Sequence, residues 1–194
     1  MPIEPGSGSE GRECVWDYPR PPRLERTSKH IRVEFAGVVL ADTRSAFRVL
    51  ETSHPPVYYV PPQHVTLQHL IAGPGGSYCE WKGRAAYYTV VVGSARVEDA
   101  AWYYPEPTPA FEAIRDHVAF YAACMGGCFV DGERVEPQPG DFYGGWITSD
   151  LVGPFKVGRA RAIGGRCSSP APRCGRAPSG RRQSRSGALD RVRC

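Results

Sequence analysis

Ala85-Ala86-Tyr87-Tyr88-Thr89-Val90-Val91-Val92-Gly93-Ser94-Ala95-Arg96-Val97-Glu98-Asp99-Ala100-Ala101-Trp102-Tyr103-Tyr104 is the stretch on which the fold class turns. β-Branched and aromatic residues crowd both halves, and Gly93-Ser94 offers a tight turn between them. Ala85–Val92 and Arg96–Tyr104 therefore read as two strands of a central hairpin. A second hairpin is legible in Phe129-Val130-Asp131-Gly132-Glu133-Arg134-Val135, because Asp-Gly suits the type I′ turn that strand twist demands.

Working outward, Ile31, Val33 and Phe35 alternate with Arg32 and Glu34 as in a half-buried strand, and Gly37 permits a turn into Val38–Asp42. Phe47, Val49 and Glu51 open another extended stretch. Val57–Val60 forms a short aromatic strand between prolines, and Val118–Ala122 is a further strand. Helical turns are expected in Gln63–Ala72 near Pro62. A short helix is expected after Thr108-Pro109, with Thr108 as N-cap and Ala110, Phe111 and Ile114 facing the core. Gly73-Pro74-Gly75-Gly76 reads as a breaker. Trp16 to Pro22 is too proline-rich for helix or inner strand, so it is expected as an extended strip anchored by Trp16 and Tyr18.

The chain of 194 residues has 22 Gly and 19 Pro, about a fifth of the total against roughly 12% in average usage. That excludes a helical bundle. No apolar run approaches the roughly 20 residues of a membrane helix, and the N-terminus lacks a basic-then-apolar export signal, so a soluble cytoplasmic protein without membrane contact is expected. The net charge of +4 is unevenly spread: residues 157–194 carry +9 and residues 1–156 carry −5. The organisation expected is a flexible N-terminus over 1–13, one domain over 14–156, and a disordered basic tail over 157–194. The domain gives no electrostatic reason for nucleic-acid binding; only the tail does. Seven cysteines without an export signal point to free thiols rather than a disulfide framework.

Candidate site residues gather in three stretches. In Cys79-Glu80-Trp81-Lys82-Gly83, a lysine near a thiol favours the thiolate, and glycine admits a ligand to the backbone. Cys79 and Lys82 converge only if Gly83 marks a bend, since alternation would otherwise put them on opposite faces. Glu51, His54, Tyr58 and Tyr59 sit among four prolines, a rigid setting for a pocket wall, although His54 before Pro55 also reads as an exposed loop residue. Tyr87, Trp102 and Tyr104 could stack a flat ligand from the central hairpin. For metal, only Cys124-Met125-Gly126-Gly127-Cys128 resembles a ligand pair and its completion would need Cys79, Cys14 or a histidine; no metal site is expected.

Several strings resemble one family: Val15-Trp16-Asp17-Tyr18-Pro19-Arg20-Pro21-Pro22, Val49 to Pro56, Tyr58 to Pro61, Tyr78 to Ala85, Ala101 to Pro105 and Asp116 to Tyr121. The resemblance is to a bacterial family of uncharacterised proteins, domain of unknown function 427, and runs from about residue 14 to residue 156. It implies a β-tent-like fold, mainly β and antiparallel, with sheets leaning together over a cleft. It supplies no established activity, although a nucleotidyltransferase label is attached to the family. The familiar nucleotidyltransferase pattern is missing, since Gly93-Ser94 lies in a hairpin with no Asp-x-Asp after it. Walker, dinucleotide and nucleophile-elbow motifs are missing too. Three readings stay open: a small-ligand-binding cleft lined by Glu51, His54, Tyr58, Tyr59, Cys79, Lys82, Tyr87, Trp102 and Tyr104; an enzyme in that cleft, thiol-dependent or nucleotidyltransferase-like; and a structural interaction module.

Overall fold

The computed structural model describes residues 11–140 and 142–157. Strands β1 (Glu13–Cys14), β2 (Arg23–Arg26), β3 (Ile31–Phe35), β4 (Val38–Thr43), β5 (Phe47–Leu50) and β6 (Val57–Tyr59) come first. Two 3₁₀ turns, Pro62–His64 and Leu67–His69, lead into the long strands β7 (Leu70–Cys79), β8 (Gly83–Val92) and β9 (Ala95–Pro107). A 3₁₀ segment (Pro109–Ile114), β10 (Ala119–Phe120) and a 3₁₀ turn (Ala122–Cys124) follow. Then come β11 (Gly127–Val130), β12 (Glu133–Arg134), β13 (Glu136–Pro137), β14 (Trp146–Ile147) and β15 (Leu151–Val152). The domain is mainly β, with three open antiparallel sheets ordered β10-β9-β8-β7, β12-β11-β3-β4 and β2-β5-β6. Two short pairs complete the set: β13 with β14, and β1 with β15 in parallel.

The central hairpin forms as expected, closing with Val92 opposite Ala95. The Asp131-Gly132 hairpin closes with Val130 opposite Glu133, and both turn residues have positive φ (51° and 86°), as a type I′ turn requires.

Three local expectations are corrected. Gly73–Gly76 does not break the chain but lies inside β7, across a register shift between Ala72 and Gly76. Pro74 is tolerated because β7 is an edge strand, where a missing N–H can face solvent. The expected helix after Thr108 is a 3₁₀ segment. Its Phe111 and Ile114 are buried, but Ala110 is exposed and the Thr108 hydroxyl donates to the Trp81 carbonyl instead of capping. Of the two anchors in the proline-rich strip, Tyr18 is buried and Trp16 is half exposed, although its indole N–H donates to the Pro154 carbonyl at 2.8 Å.

Two large apolar clusters form, and four strands serve both because side chains alternate across a sheet. The first gathers Ile31, Val33, Leu40, Tyr58, Val90, Ala101, Val118, Phe120 and Trp146. The second gathers Phe47, Val49, Tyr59, Tyr87, Trp102, Tyr104, Phe111, Ile114 and Ala119. Neighbours such as Tyr58 and Tyr59, or Ala101 and Trp102, thus end in different clusters. Among the described residues no helix is long and apolar enough to cross a membrane. Almost all of the expected flexible N-terminus and basic tail lies outside the described residues.

Candidate functional site

The second cluster does not close. Between β5–β6 and the facing strands β8–β9 lies a cavity of about 450 Å³, walled by Val49, Val57, Tyr59, Tyr87, Trp102 and Tyr104. Tyr87 and Trp102 are direct neighbours across the β8–β9 ladder, which sets their rings side by side on the cavity face. Tyr59 meets Trp102 edge-on, with centroids 6.3 Å apart, and lies 6.2 Å from Tyr104. The Tyr87 hydroxyl shares a hydrogen bond of 2.8 Å with Ser77. Burial raises the pKa of Tyr59 and of Tyr104, so both phenols are neutral near pH 7 and offer the cavity no negative charge.

At one end, β7 turns into β8 through Glu80-Trp81-Lys82. Gly83, at φ +93°, makes the bend on which convergence of Cys79 and Lys82 depends, and a Cβ there would stand 3.2 Å from the Glu106 carbonyl. Lys82 returns over the strand end beside Cys79 and has Nζ 5.6 Å from the Phe111 ring centroid. Burial works against its charge, whereas the acidic groups beside it, Tyr59, Cys79 and Glu51, hold its pKa above the ordinary lysine value; Glu51 is the carboxylate among them and acts at pH 7, where Tyr59 is neutral. Lys82 is a cation at physiological pH, and no carboxylate among the described residues lies within 4 Å of it. Arg20 differs: it bridges Glu51 at 3.3 Å and Glu80 at 2.9 Å.

His54 is 7% exposed, so the structure rejects the exposed-loop reading. Its Nδ1 is 2.9 Å from the Thr52 carbonyl, which can only accept, so Nδ1 carries the proton. Burial holds its pKa below the ordinary histidine value, leaving Nε2 as an unprotonated acceptor. That Nε2 is buried without a hydrogen-bond partner, and so is the indole N–H of Trp81. Among the described residues these are the two orphaned buried side-chain polar atoms, and both belong to residues lining this cavity.

Eight of the nine sequence-derived site residues line the cavity: Glu51, His54, Tyr59, Cys79, Lys82, Tyr87, Trp102 and Tyr104. Tyr58 is the exception and is corrected. It points to the opposite face of β6, into the first cluster, with its ring 5.3 Å from Trp146, because adjacent strand residues cannot share a face. Cys14, Cys79 and Cys128 are free thiols. No group of three or more His, Cys, Asp or Glu among the described residues is arranged to hold a metal ion.

Sequence reasoning missed a whole wall, made by Gln138, Phe142, Tyr143, Gly144 and Lys156. Gln138 fixes it by accepting from the Gly145 N–H and donating to the Lys156 carbonyl. Tyr143 packs edge-on against His54 at 4.6 Å, and Lys156 Nζ lies over its ring at 5.2 Å from the centroid. Gly144 is dictated by contact: a Cβ there would fall 2.2 Å from the Trp102 ring.

Comparison with known families adds one fact to this geometry. Residues 23–131 match the model of the family described as Domain of unknown function (DUF427). The chain belongs to that family. No curated protein matches it. The DUF427 match spans β2 to β11, which supplies the aromatic floor, His54 and the Cys79–Lys82 corner. Arg20 and the wall from Gln138 to Lys156 lie outside it.

Proposed function

We propose that this DUF427 chain binds a small molecule with a flat, largely apolar body in the hollow between β5–β6 and β8–β9. The observation that carries the reading is the coincidence of empty space, aromatic walls and, among the lining residues, the two whose buried polar atoms lack partners, His54 and Trp81. Protein interiors otherwise pack at crystal density, and a void forfeits dispersion contacts on every side. A volume of about 450 Å³ falls within the range of small-molecule pockets, and a few placed polar groups among apolar walls is their usual make-up. The unit taken to carry this function is 14–156, in which β1 pairs with β15 and joins the two ends. We take it to work in the cytoplasm, where the Cys79 thiol stays reduced.

A panel of flat aromatic and heteroaromatic metabolites, read by quenching of Trp81 and Trp102 fluorescence and by thermal shift, tests the proposal. A binder at 100 times its Kd should stabilise the fold by about 2.7 kcal/mol. Val57→Phe, which fills the hollow from β6, should abolish the shift while leaving the melting temperature of the free protein unchanged or higher. If no compound shifts the wild-type protein, the hollow is not a binding site.

His54 favours a second reading, catalysis in the same cavity, because a neutral imidazole with a free Nε2 lone pair has the protonation state of a general base. Turnover of a bound compound, lost in His54→Phe or Cys79→Ser with binding retained, would select the enzyme.

A further inference from the structure

Taking the cavity as a binding site, its polar groups specify more than flatness. Three cations line it, and they are not equivalent. Arg20 is shared by two carboxylates, Glu51 and Glu80, and Lys156 is exposed and lies over Tyr143. Lys82 has no ion pair within 4 Å; Cys79 and the face of Phe111 lie against its charge, Glu51 acts on it from farther off, and the phenols beside it stay neutral. Three cations against two carboxylates, Glu51 and Glu80, leave the lining one positive charge in surplus. Next to it in the chain, Trp81 has a buried N–H with no acceptor. His54 supplies the opposite need: its Nε2 can only accept, so a partner there must bring an N–H or O–H.

We propose that the cavity takes a planar aromatic monocarboxylate bearing a hydroxyl or amino group. The carboxylate pairs with Lys82 and the Trp81 N–H, the ring lies among Tyr59, Tyr87, Trp102 and Tyr104, and the donor meets His54 Nε2. The single surplus charge argues for a carboxylate over a phosphate monoester, which carries −1.5 to −2 at neutral pH. It also separates this ligand from neutral aromatics, which would leave the Lys82 charge and two buried polar atoms unsatisfied.

Three probes matched in shape test it by calorimetry: 6-hydroxy-2-naphthoate, 2-naphthoate and 2-naphthol. The hydroxynaphthoate should bind tightest, with about a tenfold loss on deleting the carboxylate, the scale of one hydrogen bond to a charged group, and a loss of about fivefold on deleting the hydroxyl, whose partner is neutral. Lys82→Met should remove the preference for carboxylate, and Lys82→Arg should retain most of it. His54→Phe should remove only the preference for the hydroxyl. The wild-type ranking carries the test if a variant fails to fold. Equal binding of 2-naphthol and 6-hydroxy-2-naphthoate overturns the carboxylate assignment and leaves the cavity as a binding site for neutral flat molecules. Failure of all three, while a neutral compound from the panel binds, has the same consequence. Silence from every compound removes the underlying binding reading as well.

Discussion

The two apolar clusters share β6, β8, β9 and β10, yet one closes and the other does not. The first fills itself with aliphatic residues around a single indole: Trp146 is 1% exposed and donates its N–H to the Phe120 carbonyl at 3.0 Å. The second receives most of the large rings, Tyr59, Tyr87, Trp102, Tyr104, Phe47 and Phe111. Tyrosine and tryptophan are bulky and stiff and carry a polar end that must find a partner, so they pack as walls more readily than as filling. The same alternation that builds a dry core on one side of the shared strands leaves a lined hollow on the other. Stability should therefore reside in the first cluster and recognition in the second.

The largest expected effect tests that division directly. Trp146→Ala should destabilise the fold by about 3–5 kcal/mol, since it opens a void in a closed core and orphans the Phe120 carbonyl. A fall in melting temperature on the order of 10 °C follows. Val57→Phe at the hollow should move it far less. Equal losses at both places would mean that the second cluster is a core like the first.

How much of this was legible in the sequence depends on the scale of the signal. Hairpins were legible because alternation and turn chemistry are local: Asp131-Gly132 and Gly93-Ser94 each announce a two-residue connection. The convergence of Glu51, Cys79, Lys82 and Trp102 was legible through rigid corners, chiefly Gly83. Placing both Tyr58 and Tyr59 in the site neglected the same alternation that identifies the strand. The 3₁₀ segment after Thr108 depends on a distant partner, the Trp81 carbonyl, that competes for the capping hydroxyl. The wall from Gln138 to Lys156 is held by long-range contacts that no local pattern encodes. Its one clue was two glycines set between aromatics, Phe142-Tyr143-Gly144-Gly145-Trp146, which mark where backbone must yield to a ring.

A smaller effect separates the clusters by pH. The first is built of groups that do not titrate near neutrality, whereas the second includes His54 on its border, buried and neutral. Its folded pKa is depressed below 6.5, so as pH falls through 6.5 the unfolded chain takes up the proton first and stability drops, until the folded form titrates too. Urea midpoints measured from pH 7 to pH 5 should fall in the wild type and fall less in His54→Phe. An identical slope in the two proteins would mean that His54 does not pass its burial cost into folding. The carboxylates with lowered values, Glu13 and Asp150 among them, act in the same direction but below about pH 5.

The smallest effect on folding is expected at the rim. Arg20 is half exposed, and its pairs with Glu51 and Glu80 are of the kind worth under about 1 kcal/mol. Arg20→Ala should therefore leave the melting temperature nearly unchanged. It should still act on recognition, because Glu51, released from its partner, would turn its charge toward Lys82, which already feels it. Affinity for 2-naphthoate should drop several-fold, and the drop should shrink in high salt as the exposed charges are screened. A large loss of stability with unchanged affinity would reverse the assignment, making Arg20 a brace for the strip around Tyr18 rather than the group that keeps Glu51 away from the one charge left for a ligand.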